Sequence, residues 1–355
     1  MTQASNESGK RPGQTPRRSC KTIGILLFIL MQIAVVGYTA LTEFRDGANE
    51  IAPKLDERGW LFLLGGVACL AVVLGAETLK YLLMMRALGE RRSLRAAFET
   101  AALGKYYDNV TPFGAGGQPF QIWWLHRRGY GAGAAGAMPI AGFLTMQWGF
   151  ILLALVIFVA YRSVELEAMR YTAYFGILFY MAVPCLLIVF TVSPTLAQRV
   201  LSFFIRLGAK IRLVKDPDGS LASALKTLTE YRDSFSLIAG KKLLLIVMLA
   251  LSIVFQIALC SMPFFVLKAL GSDVTLGAIL ATTVYIYAAI TVIPTPGNSG
   301  AAEGSFYLVF SAAGASGVFW AMLLWRFLCY YAFILIGALI HAADALSARR
   351  KKPEA

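Results

Sequence analysis

Long apolar blocks, each about as long as a bilayer is thick, constrain this chain more than any other feature. They lie at about 22 to 41, 59 to 85, 134 to 161, 171 to 192, 242 to 268 and 316 to 345. A helix rises ~1.5 Å per residue, so about 20 apolar residues cross the ~30 Å hydrocarbon core. Hydrophobic residues make up 58% of the 355 and charged residues only 15%, whereas soluble domains hold roughly 45–50% apolar residues. A membrane barrel would instead show alternating strands of about 10 residues. The predicted fold class is therefore an all-α integral membrane protein with about six full transmembrane helices.

The formal net charge of +13 could suggest a nucleic-acid partner, but its placement argues for none. Basic residues gather in the N-terminal tail, at Arg86 to Arg95, at Arg127 and Arg128, between Arg199 and Lys242, and at Arg349 to Lys352, which together hold 24 of the 33. The intervening loops 42 to 58, 162 to 170 and 268 to 274 hold six. Such alternation follows the positive-inside rule and predicts a multi-pass protein with both termini cytoplasmic. Residues 1–20 read as a disordered basic tail, 21–345 as the membrane domain and 346–355 as a second basic tail. The block from Thr22 to Leu41 is longer than a signal-peptide core and lacks an A-x-A site, so it reads as an uncleaved span.

Five scattered cysteines and two histidines (His126, His341) give no disulfide framework, no metal-ligand spacing and no catalytic triad. The glycine run 131 to 136 matches G-x-G-x-x-G, but an apolar span follows it and no strand precedes it, so it reads as helix packing. No cofactor is implied. The segment 193–241 reads as a cytoplasmic loop, with a helical pattern at Leu221 to Ile238 that either lies along the membrane surface or simply connects.

Two segments do not read as crossings. "AALGKYYDNVTPFGAGGQPFQIWWLHRRG" (Ala101 to Gly129) lies between two basic clusters, so both its ends belong on one side. "TVIPTPGNSGAAEGSF" (Thr291 to Phe306) follows an apolar block and returns to the side it came from, here the outside. Both read as re-entrant hairpins from opposite faces, and the likeness of their tips suggests an inverted repeat. Interrupted helices in corresponding places of two halves point to a midplane transport site.

In the first hairpin Lys105 and Asp108 share a helix face at i, i+3 and read either as a structural pair or as groups facing a polar cavity. Tyr107, Asn109 and Thr111 precede the Pro112 to Gly116 turn, and Gln118 and Gln121 follow it as headgroup ligands or as helix-end partners. In the second, Pro294 and Pro296 break the helix and Gly297 and Gly300 permit the turn. Glu303 then opens a new helix, either as an N-terminal cap or as a group that meets a cationic headgroup or a proton, with Arg326 as its expected partner. Glu77 and Lys80 form another i, i+3 pair, with Lys80 expected to snorkel to the interface. Trp60, Trp123 and Trp124 read as interfacial anchors.

The stretches "YYDNVTPFGAGGQPFQ" and "PTPGNSGAAEGSF" resemble the two hallmark regions of the lysylphosphatidylglycerol synthase transmembrane family, the flippase-like domain of multiple peptide resistance factor proteins. The likeness extends over about 22 to 345, and related sequences often read PTPGGSG where this one has Asn298. It implies a bacterial or archaeal inner-membrane protein that moves a lipid with a large polar headgroup between leaflets, with membrane lipids as its partners. Carried over by motif, the site would hold Tyr107, Asn109, Thr111, Pro112, Gly116, Gln118, Gln121, Pro294, Pro296, Gly297, Gly300 and Glu303. Long members carry a C-terminal synthase domain, and this chain ends soon after its last span, so synthase activity is not expected. The alternatives are a membrane enzyme that modifies a lipid or polyprenyl-linked substrate, with Glu303 or Asp108 as base, and a membrane partner of a separate synthase or glycosyltransferase.

Overall fold

A computed structural model describes residues 55–114, 116–161, 167–210, 217–291 and 293–350. The N-terminal tail, the first apolar block and the last five residues lie outside the described residues. Among the described residues every regular element is helical. Four helices are simple long rods: α1 (Glu57–Ala87), α4 (Ala132–Ala160), α5 (Glu167–Val192) and α8 (Lys242–Ala269). The last span runs from Val318 to Ser347 and makes five helices long and apolar enough to cross a membrane.

α1 and α8 lie against each other along their length and run in opposite directions. Lys241, at the start of α8, donates to the carbonyl of Ala87 at the end of α1, while Gly59 abuts the carbonyl of Ala269. This antiparallel pair frames two helical hairpins. The first is α2 (Leu94–Val110), a short turn at Pro112–Gly114 and α3 (Gly117–Arg127). Its base sits where α1 ends and α4 begins, tied by the Tyr130 hydroxyl to the Arg91 carbonyl at 3.0 Å. Burial holds the Tyr130 phenol above its usual range, which keeps it a donor.

The second hairpin comprises α9 (Leu276–Ile290), a turn at Pro296–Asn298 and α10 (Ala301–Ala312). Its base is at the opposite end of the bundle, where α8 finishes. There Ser272 Oγ donates to the Ser316 carbonyl at 2.9 Å and accepts from the Ser316 amide at 3.1 Å. The two hairpins thus approach from opposite ends and their tips meet between them.

Between the halves, residues 193–241 hold two described helices, α6 (Pro194–Lys210) and α7 (Pro217–Ala239), where the sequence pattern indicated one. α7 packs through Tyr231, Phe235 and Ile238 onto the start of α4, and the Tyr231 hydroxyl lies 2.9 Å from Thr191 Oγ1. It is a docked connector. Exposed Leu196, Phe203 and Leu207 lie instead on α6.

The last span is interrupted. α11 (Val318–Arg326) passes through a π-helical turn at Phe327–Tyr331 into α12 (Ala332–Arg350). Such single π turns are frequent at functional sites, and Arg326, just before it, and Tyr330, within it, both reach the hairpin tips.

Two interface expectations are corrected. Lys80 is fully buried, with its ammonium 2.8 Å from Glu77 and 3.1 Å from Ser252 Oγ. It does not snorkel, because a carboxylate one turn away and a hydroxyl from α8 supply partners inside the bundle. Trp124 is likewise buried, whereas Trp60 and Trp123 are exposed. Neighbouring positions on a helix lie about 100° apart, so Trp123 faces out and Trp124 turns under Phe120 and the Arg128 guanidinium.

Candidate functional site at the hairpin tips

The first tip is organised by side chains that close its turn. Thr111 Oγ1 donates to the Tyr107 carbonyl at 2.7 Å and accepts from the Gly116 amide at 2.8 Å. Asp108 Oδ1 accepts from the Gly117 amide at 3.1 Å. A Cβ on Gly117 would collide with that carboxylate, which is why glycine stands there.

The second tip needs left-handed backbone at Gly297 (φ 56°) and at Asn298 (φ 55°). Asparagine tolerates that region, and its side chain donates to the Ile290 carbonyl at 3.0 Å. Gly297 also lies against the Tyr330 ring, where a Cβ would not fit. Pro294 and Pro296 end α9 and start the turn, and Gly300 stands before α10.

Glu303 is 2% exposed and fully committed. One oxygen accepts from the Gly300 amide at 2.7 Å, capping α10, and the other accepts from Arg326 Nε at 2.7 Å. Arg326 continues with its Nη2 to the Gly297 carbonyl at 3.3 Å and Ser299 Oγ at 3.2 Å. One arginine therefore clamps the turn, the helix start and the last span together. The expected Glu303–Arg326 pair exists, with its acid behind the arginine.

The tips are fastened by a reciprocal pair. Asn109 Nδ2 donates to the Tyr330 carbonyl at 3.3 Å, and the Tyr330 hydroxyl donates to the Asn109 carbonyl at 3.2 Å. Arg326 also lies over the Tyr330 ring, 4.6 Å from its centre.

Beside this junction lies a cavity of about 630 Å³, within the usual range for ligand sites. Its polar lining comprises Lys105, Asp108, Asn109, Gln118 and Arg326, together with Gln147, Gln256 and Tyr330. Its apolar lining includes Phe143, Met146, Phe150, Phe179, Val183 and Leu259. Phe179 and Val183, contributed by α5, are 44% and 39% exposed, and their neighbours Phe175, Leu178 and Leu186 on the same helix are exposed as well.

Of the remaining sequence-selected residues Gly297 also lines the cavity, whereas Tyr107, Thr111, Gln121 and Glu303 lie off its wall. Tyr107 stacks on Phe120 at 3.7 Å and its hydroxyl sits 3.2 Å from His341 Nε2. Thr111 closes the turn. Gln121 donates to the Thr100 carbonyl at 3.1 Å and borders a second void of about 10 Å³, shared with Glu77, Lys105 and Asp108, room for about one water.

Sequence reasoning missed Tyr330, Gln147 and Gln256. The two glutamines had a readable signal, since each is a lone amide within an apolar span and such groups turn inward. Tyr330 had none, because its partner Asn109 lies 221 residues away on the first hairpin.

The family model for the lysylphosphatidylglycerol synthase TM region matches residues 22–337. The chain belongs to that family. Family membership gives the protein a membrane lipid-related function, and its five long apolar helices make it a multi-pass membrane protein. A comparison with curated proteins returns no match. Both stretches that carried the sequence resemblance fall inside the matched residues, and they form the two tips that bound the cavity.

Proposed function

We propose that the protein is a lipid translocase. A phospholipid or glycolipid passes its polar headgroup through the cavity between the hairpin tips while its acyl chains stay in the bilayer. The observation that carries this reading is the mixed polar and apolar lining of the cavity at the hairpin tips. Charged groups at both tips line it beside amides of α4 and α8, and aromatic and aliphatic side chains, including those of the exposed helix α5, make up the rest of its wall. Unpaired backbone at the tips is tolerable at membrane depth only beside protein or a water-filled space, and the cavity supplies that space.

In this reading the hairpins are re-entrant and enter from opposite faces of an inner membrane, with both termini cytoplasmic, as the alternation of basic loops favours. The protein carries the lipid without changing it covalently, and transport runs down the lipid's own gradient unless an ion is coupled to it.

The test is reconstitution into liposomes with acyl-labelled lipids and a membrane-impermeant quencher. Protein should expose inner-leaflet label at a rate above that of empty vesicles. Rates equal to empty vesicles for every headgroup would overturn the proposal. A change in lipid mass on incubation would replace it with the enzyme alternative.

A further inference from the structure

We propose that the cavity selects a zwitterionic glycerophospholipid whose headgroup carries a primary ammonium next to its phosphate, and that Lys105 and Asp108 read the two charges. The inference deepens the translocase reading and rests on it.

The charges facing the cavity add up to a dipole. Among the described residues three charged side chains line it: Lys105, Asp108 and Arg326. Arg326 is neutralised from behind by Glu303 at 2.7 Å. That leaves Lys105 and Asp108 as one positive and one negative group with no net charge between them.

This pair is not closed. Lys105 Nζ lies 3.9 Å from Asp108 Oδ2, beyond hydrogen-bond reach, and the side chains are 21% and 19% exposed. Among the described residues Lys105 makes no hydrogen bond, and its ammonium leans over the Phe255 ring at 4.8 Å. Asp108 is held by one oxygen on the Gly117 amide, which leaves Oδ2 for another donor. The other two buried ion pairs near the site, Glu303–Arg326 and Glu77–Lys80, close at 2.7 and 2.8 Å. An open pair between two closed ones is arranged for something to enter it.

A headgroup with phosphate and ammonium a few bonds apart fits that opening. Its phosphate takes the Lys105 donors and its ammonium takes Asp108 Oδ2, so one weak contact gives way to two charge-assisted hydrogen bonds. A headgroup with net positive charge, such as an aminoacylated phosphatidylglycerol, brings a second cation beside Lys105, with Asp108 already taken by the first and no further carboxylate among the described lining residues to receive it. An anionic headgroup satisfies Lys105 and leaves Asp108 facing a phosphate. Like-charge juxtaposition in a poorly solvated site disfavours both.

The experiment compares acyl-labelled phosphatidylethanolamine, phosphatidylglycerol and lysylphosphatidylglycerol in proteoliposomes. Wild type should move phosphatidylethanolamine about tenfold faster than either charged lipid, the worth of one charge-assisted contact. Asp108→Asn should erase the preference over phosphatidylglycerol, and Lys105→Gln the preference over the cationic lipid, while Lys105→Arg keeps both. Equal rates for all three lipids in wild type, or an unchanged preference in Asp108→Asn, would overturn the inference. If no lipid moves, the translocase reading fails by itself and binding decides the pairing. Short-chain phosphatidylethanolamine must then raise the melting midpoint of wild type in detergent and not that of Asp108→Asn, and equal shifts in the two proteins would overturn it.

Discussion

Each hairpin tip carries a carboxylate paired with a basic side chain, Lys105 of the same helix at the first and Arg326 of the last span at the second, but the two pairs are built in opposite ways. At the second tip Glu303 and Arg326 are almost inaccessible and meet at 2.7 Å, and the arginine also holds Gly297 and Ser299. At the first tip Lys105 and Asp108 stand 3.9 Å apart, each about one-fifth exposed to the cavity. The second tip spends its charges on holding the junction in shape. The first keeps its charges open on the cavity wall, so the two tips divide structure and recognition between them.

The largest expected effect comes from breaking the closed pair. Glu303→Ala strips the cap from α10 and leaves Arg326 buried without its counter-charge, a loss of about 3–5 kcal/mol. Thermal unfolding in detergent should show it as a large drop in midpoint or a failure to recover folded protein. Lys80→Ala acts the same way away from the cavity, because it strands Glu77. It should cost a similar ~3–5 kcal/mol, and Lys80→Met combined with Glu77→Leu should recover much of that stability in the same melt.

Smaller effects should come from the backbone and the fastener. Gly297→Ala puts a Cβ on a left-handed residue against the Tyr330 ring, at about 1–2 kcal/mol for the conformation alone, read as a lowered midpoint. Tyr330→Phe removes one hydrogen bond between the tips, about 0.5–1.5 kcal/mol. Its clearer readout is transport, which should change more than stability if the tips must stay in register. Lys105→Gln belongs at the end of the stability scale, because an open, partly exposed pair contributes at most about 1 kcal/mol.

Much of this division was already legible in the chain. The i, i+3 spacing of Lys105 and Asp108, the proline and glycine breaks, and Glu303 just after its turn located both tips and even proposed Arg326 as a partner. Length and hydropathy located the long spans, of which the first, at 22 to 41, lies outside the described residues. The sequence left Glu303 open between capping and contact with a headgroup. Geometry places it behind Arg326, away from the cavity, because capping Gly300 and pairing with Arg326 use both its oxygens. Lys80 was misread for a related reason. Its proximity to the end of an apolar block suggested the interface, while its deciding partner, Ser252, lies 172 residues away. The π-helical turn was equally hidden, since no local residue pattern in "FLCYY" announces it.

The most direct test of the division between the tips is a paired measurement of melting midpoint and lipid transfer rate on the same reconstituted preparations of wild type, Glu303→Ala and Lys105→Gln. Lys105→Gln should melt within about 2 °C of wild type and lose most of its transfer, whereas Glu303→Ala should lose its stability first. A Lys105→Gln protein that transfers lipid at the wild-type rate, or a Glu303→Ala protein that melts like wild type, would contradict the assignment.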